Sequence, residues 1–115
     1  MEDLLATTAA NDLDAALGER RATVMAGGHT HIQMVRQHRG TLLVNPGSLG
    51  LPFETYVSGG PPRILAHAEY ATVESLDGSV NVTLHRVPLD RGALIAEVAR
   101  WDNPLQSYLL QQYES

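Results

Sequence analysis

Short apolar runs alternate along the chain with breaks rich in Gly, Pro and Asn, and the runs set the expected elements. Residues 2–10 carry no clear period. From Asn11 onward, Leu13, Ala16 and Leu17 recur at helical spacing, so Asn11 is expected to cap a short helix that Gly18 ends. Ala22 to Ala26 is short, apolar and β-rich, and reads as a strand buried on both faces. Gly27-Gly28 stops it. Ile32 to Gln37 and Thr41 to Asn45 predict two strands joined by a hairpin turn at His38-Arg39-Gly40. Asn45-Pro46-Gly47-Ser48 is a strong turn signal, and Leu51 to Pro62 reads as a loop.

Two longer strands follow, at about Ile64 to Glu74 and Ser79 to Val87, with Asp77-Gly78 as their hairpin turn. Val80, Val82 and Leu84 share one face of the second strand, and Asn81, Thr83 and His85 the other, so one face is expected packed and one wet. Asp90 can cap a helix with an apolar stripe of Leu94, Ile95 and Val98. Pro104 suits the first position of a last helix that buries Leu105, Tyr108 and Leu109. The fold class is α/β, with mostly antiparallel strands in the middle and helices at both ends, in one domain.

Composition narrows the class. The 115 residues are 43% hydrophobic and 18% charged, an ordinary globular mixture. A chain of this length buries roughly 65% of its unfolded surface, enough for one modest core. The net charge of −5 argues against binding to a nucleic-acid backbone. No apolar run approaches the roughly 20 residues of a membrane helix. The acidic opening Met1-Glu2-Asp3 is unlike a signal peptide, so a cytoplasmic location is expected. Without cysteine, disulfides and thiolate metal sites are excluded.

The candidate chemistry lies in Gly28-His29-Thr30-His31, with Asn45-Pro46-Gly47-Ser48 beginning fourteen residues after His31. Neutral imidazole is the commonest metal ligand, and both rings follow a strand directly. Gly27 and Gly28 allow a tight approach. If the segment stays extended, His29 and His31 point the same way. The plain alternative is a surface His-x-His pair. Consecutive N–H groups in the Asn45 to Ser48 turn can form an anion nest, and the plain alternative there is a simple β-turn. The hairpin would place His31 and Asn45 side by side, converging the two motifs.

These residues, with Leu49-Gly50-Leu51-Pro52-Phe53, Pro62-Arg63, Glu69-Tyr70-Ala71 and Arg86-Val87-Pro88-Leu89-Asp90, resemble a calcineurin-like metallophosphoesterase. The similarity runs from roughly Asp12 to the C terminus. It points to the C-terminal half of the domain, in the small bacterial and archaeal phosphodiesterase branch. The resemblance implies half of an αββα sandwich and a centre of two divalent metal ions, manganese first, with iron, zinc or nickel as alternatives. His29 would ligate one ion and His31 the other. Gly28, Asn45, Gly47 and Ser48 would shape the substrate pocket. The implied reaction is hydrolysis of a phosphate mono- or diester by a metal-bound hydroxide.

The family's Asp-x-His, Gly-Asp and Gly-Asn-His motifs do not occur in this sequence; Asp77-Gly78 is its only pairing of Asp with Gly. Two adjacent cations repel strongly and are normally held by carboxylates as well as imidazoles. Glu54 and Glu69 are expected to be solvated rather than ligating. His38 is expected to be solvated in its turn, and His67 and His85 not to face each other. Trp101 and Tyr108 read as packing residues. The chain alone would hold metal weakly, and activity would need a separate N-terminal half. The sequence then reads as a fragment, one polypeptide of a split enzyme, or a degenerate module. The alternatives to an enzyme are a non-catalytic dimerisation or ligand-binding module, and a single-site zinc protein.

Overall fold

The computed structural model describes residues 4–56 and 59–114. Met1-Glu2-Asp3, and Val57 and Ser58 of the expected loop, lie outside the described residues. The elements in order are α1 (Ala10–Leu17), β1 (Val24–Ala26), β2 (Met34–His38), β3 (Thr41–Asn45), β4 (His67–Leu76), β5 (Ser79–Pro88), α2 (Arg91–Val98) and α3 (Gln106–Glu114). The class is mixed α/β, with antiparallel sheets flanked by helices, as the sequence pattern predicts.

A three-stranded sheet has the order β1-β3-β2. β2 and β3 form the expected hairpin, with Met34 opposite Asn45 and His38 opposite Thr41. Its turn is the pair Arg39-Gly40, with φ of 49° and 80°. Two consecutive positive φ values match the right-handed twist of the flanking strands. β1 pairs with β3 in parallel, Ala26 beside Val44. Only one edge of β1 is paired among the described residues, so Val24 and Met25 are half-buried and Ala26 is exposed. This corrects the expectation of a strand covered on both faces.

β4 and β5 form a separate two-stranded ribbon, Glu69 opposite Arg86 and Tyr70 opposite His85, turned at Asp77-Gly78 with φ of 50° and 82°. His67 faces Pro88, not His85, as expected. The first ribbon strand starts at His67 rather than Ile64. Ile64 instead makes an isolated bridge to Phe53, which draws the Leu51 to Pro62 segment into a pinched loop. Leu65 N–H donates to Pro52 O at 2.9 Å, and Glu54 N–H to Arg63 O at 3.0 Å. The packed-and-wet alternation holds only in part. Val80 and Val82 are half-buried, but Leu84 is exposed, and His85 on the supposed wet face is half-buried against Tyr70.

α1 begins at Ala10, so Asn11 is inside the helix and caps nothing; Ala9 precedes it without a side-chain cap. Gly18 does end it, with φ of 60°. Asp90 caps α2 as expected, accepting from Ala93 N–H at 3.0 Å. α3 starts two residues past Pro104, and Asn103 Oδ1 accepts from Leu105 N–H at 2.8 Å ahead of it. Leu105 is exposed, while Leu109 is buried.

Instead of one modest core, the described residues form two small clusters. Leu13, Met34 and Leu43 join α1 to the three-stranded sheet. Ile64, Val98, Leu109 and Tyr113 join α2 and α3 to the loop before β4. Tyr108 packs on the second cluster, as predicted, whereas Trp101 is in neither and is 38% exposed. The radius of gyration is 16.7 Å. A compact domain of this length would have about 13 Å. The excess reflects the protruding ribbon, whose Val73, Leu76 and Val87 are all exposed.

α1 is fastened to the β2–β3 turn by charge. Arg39 Nε and Nη2 donate to the two Asp14 oxygens at 2.6 and 2.8 Å, and His38 Nε2–H donates to Oδ1 at 2.8 Å. The Arg39 fork, and His38 second, hold the Asp14 carboxyl well below the usual carboxylate range. His38 is therefore not solvated: its side chain is only 9% exposed, because it lies against the helix carboxylate.

Candidate metal centre

The His29–His31 loop leaves the C-terminal end of β1, and the Asn45 to Ser48 turn leaves the C-terminal end of β3. Because these two strands run parallel and side by side, both motifs emerge at one sheet edge. That is where ligand sites of parallel strands form. The convergence expected from sequence is real, but the hairpin does not produce it. Asn45 is opposite Met34, three residues beyond His31.

Asn45 ties the motifs together. It is 4% exposed, and its side chain bonds in three directions. Nδ2 donates to Thr30 Oγ1 at 2.9 Å and, at a longer 3.4 Å, to Gly28 O. Oδ1 accepts from Gly47 N–H at 2.9 Å, closing an Asx turn. Thr30, buried between the two histidines in sequence, also accepts from Ile32 N–H at 3.3 Å. Ser48 Oγ accepts from Leu51 N–H at 2.9 Å. The amide of Asn45 is thus spent on the scaffold, and a buried amide so satisfied is costly to disturb.

The histidines stand in left-handed backbone, with φ of 85° at His29 and 62° at His31. The loop is therefore not extended, and the period-two argument for their direction does not apply. Non-glycine residues pay for positive φ, and such strain gathers at functional sites. The His31 ring stacks on Phe53 with centroids 4.5 Å apart and planes 18° from parallel. Its Nδ1–H donates to Leu51 O at 2.8 Å. A carbonyl only accepts, so the neutral ring carries its proton on Nδ1 and presents the Nε2 lone pair. This is the outer arrangement that orients metal-ligating imidazoles. His29 is exposed.

Glu69 is the residue that sequence reasoning misread. It is not solvated but 2% exposed, packed directly beneath the Asn45 to Ser48 turn. Its N–H donates to Ser48 O at 3.0 Å. Its Oε1 accepts from Ser48 N–H at 3.4 Å, and its Oε2 accepts from His67 Nε2–H at 2.8 Å. Arg86 Nε lies 3.5 Å from Oε2 and donates to Gln33 Oε1 at 2.9 Å. Gln33 Nε2 in turn donates to His85 O at 2.9 Å, so one glutamine bridges sheet and ribbon. Gly47, with φ of 85°, fills the space between them. A Cβ there would lie 2.1 Å from Glu69 Oε1 and 2.7 Å from Gln33 Cγ. A lone carboxylate in the apolar run Ile64 to Ala71 was the available signal. Glu54 meets the expectation of an exposed acid and pairs with Arg63 at 3.0 Å.

The N–H groups of Gly47 and Ser48 therefore both end on oxygens of this chain. Among the described residues no group of three or more His, Cys, Asp or Glu side chains could hold a metal ion. The donor set fits a divalent ion in part: imidazole nitrogens suit zinc, nickel or iron, and among the described residues no carboxylate completes a group of three ligands with them.

The sequence matches the model of the calcineurin-like phosphoesterase superfamily domain over residues 4–73. The chain belongs to this superfamily. The match starts before α1 and stops within β4, so it holds the two motifs and Glu69 but not the Arg86 to Asp90 stretch. No curated protein matches. Among solved structures, the chain is similar to Vacuolar Protein Sorting 29 from Cryptosporidium parvum, at 20% identity and a TM-score of 0.30. The similarity covers 68% of this chain and 42% of that one, so this chain spans less than half of that protein. Among the described residues, no helix is long and apolar enough to cross a membrane.

Proposed function

We propose that this chain supplies the imidazole side of a metal-dependent phosphoesterase centre and works with carboxylates from outside its own residues. The carrying observation is the His31 ring, stacked on Phe53 and fixed through Nδ1 on Leu51 O, which leaves Nε2 as a ready ligand atom. His31 would hold one ion and His29 the other. When bound, such ions supply an activated water and charge stabilisation for the ester. Manganese is the first choice, with iron, zinc or nickel as alternatives.

The chain's own residues prepare that place. Asn45 holds Gly28 and Thr30 against the turn, which keeps the histidine loop from relaxing out of its left-handed backbone. Gly28 keeps bulk away from a phosphate ester approaching the sheet end, Gly47 lets the turn seat on Glu69, and Ser48 braces Leu51, whose carbonyl orients His31. The substrate class is a phosphate mono- or diester. In this reading the protein belongs to the small prokaryotic phosphodiesterase branch, is the C-terminal half of its domain, and acts in the cytoplasm.

The missing carboxylates come with a polypeptide that packs beside α1, on the face of the three-stranded sheet where Leu13, Met34 and Leu43 meet that helix. An apolar groove of about 280 Å³ lies there, lined by Leu17, Met25, Met34, Leu43 and Val44. It runs on to Gly27, Gly28 and Asn45, so whatever fills it reaches the histidine loop. The test is manganese-dependent hydrolysis of an activated phosphodiester. The chain alone is expected inert, and active when combined with a family polypeptide bearing the Asp-x-His, Gly-Asp and Gly-Asn-His motifs. No activity in the combination overturns the reading.

A second reading, a non-catalytic module that associates with a second copy, is favoured by the absence of a third ligating side chain among the described residues. It predicts a stable dimer that takes up no metal.

A further inference from the structure

The molecule contains a buried anion that neither the metal reading nor the fold requires by itself. Glu69 lies on β4, far from β1 and β3 in sequence, yet its carboxylate sits under the turn that follows β3. Oε1 meets Ser48 N–H, and the backbone N–H of Glu69 meets Ser48 O, so the turn is gripped from both sides. Oε2 accepts from His67 and lies beside Arg86, which offsets the cost of burying the charge. Gly47 closes the fit, since its missing Cβ is the space that Oε1 occupies. The turn therefore has its Ser48 N–H on Glu69 and its Gly47 N–H on Asn45 Oδ1, both within the chain.

We propose that Glu69 is a positioning residue for the histidine loop, acting through the turn and Asn45. The path is short and each link is a hydrogen bond of the fold: Glu69 to Ser48, the Gly47 N–H to Asn45 Oδ1, and Asn45 Nδ2 to Thr30 and Gly28. Thr30 sits between His29 and His31, and Ser48 Oγ holds the Leu51 N–H, next to the carbonyl that fixes His31. Glu69 thus reaches the loop from two directions without touching either ring. Its carboxylate faces the turn rather than the histidines, so it acts as a brace and not as a ligand. The metal arm of the inference rests on the reading of His29 and His31 as ligands; the structural arm does not.

The experiment is NMR on the isolated chain, wild type, Glu69→Gln and Glu69→Ala, with Leu109→Ala as a control that loosens the other core. Without metal, Glu69→Ala is expected to speed exchange of the Gly47 and Ser48 amides at least tenfold and to shift the Asn45 side-chain amide and the Thr30 amide. Glu69→Gln keeps an acceptor for Ser48 and is expected to restore most of this. Leu109→Ala should move none of these signals. Mn2+ is then added to broaden the His29 and His31 ring signals. Glu69→Ala should raise the Mn2+ needed for half-broadening at least fivefold, and Leu109→Ala should not. Unchanged Asn45 and Thr30 signals in Glu69→Ala overturn the proposal, as does an equal effect from Leu109→Ala. If those signals move but Mn2+ never broadens the rings of the wild type, the metal reading fails while the bracing role stands.

Discussion

The two motifs at the end of the parallel strand pair are built in opposite ways. The Asn45 to Ser48 turn is buried or half-buried, and its polar groups are bonded within the chain. The Gly28 to His31 loop is exposed at Gly28 and His29, and carries two histidines at positive φ. The turn is scaffold and the loop is presentation. The difference teaches that polar residues in a recognised motif need not all face the substrate. Some are spent holding the others in a conformation they would not keep alone.

Glycine substitutions separate the two most sharply. Gly47→Ala places a methyl against Glu69 Oε1 and forces a side chain into left-handed backbone. It is expected to destabilise the chain by about 2–5 kcal/mol in a denaturant titration. Asn45→Ala comes next, at about 1–3 kcal/mol, because the Gly47 N–H loses its acceptor. It should also disorder the histidine loop, seen as faster amide exchange at Thr30. Asp14→Asn tests the fastening of α1, away from both motifs, and should have a weaker effect because the pair is open to solvent. The Asp14 carboxyl is depressed in the folded state, so its contribution is present above its unfolded value of 3.8 and is lost as pH falls below that. The stability gap between wild type and Asp14→Asn should therefore be constant near neutral pH and shrink below about pH 4. Gly28→Ala is expected to change stability least, within about 0.5 kcal/mol, since nothing lies within 4 Å of the added methyl. Equal costs for Gly28→Ala and Gly47→Ala would erase the distinction between loop and turn.

Local signals carried most of the strand reading. Arg39-Gly40 and Asp77-Gly78 fix both hairpin registers by their turn chemistry, and Asp90 announces α2. The motifs themselves were legible as short patterns of His, Asn and Gly. What was not legible depends on contacts between distant segments. The parallel pairing of β1 with β3 has no local signature, and the route by which the motifs meet was therefore misjudged. The burial of Glu69 has no local signal, because nothing near it in sequence shows that the turn of residues 45–48 lands on it. His38 was misjudged for the same reason, its partner Asp14 being on α1.

The central claim is that His29 and His31 are metal ligands that need carboxylates from elsewhere. Calorimetric titration of Zn2+ into the isolated chain, its His29→Ala and its His31→Ala variants tests it most directly. The account predicts weak binding that each substitution lowers, because each histidine serves its own ion. Binding left intact by both substitutions, or tight binding of two ions by this chain alone, would contradict it.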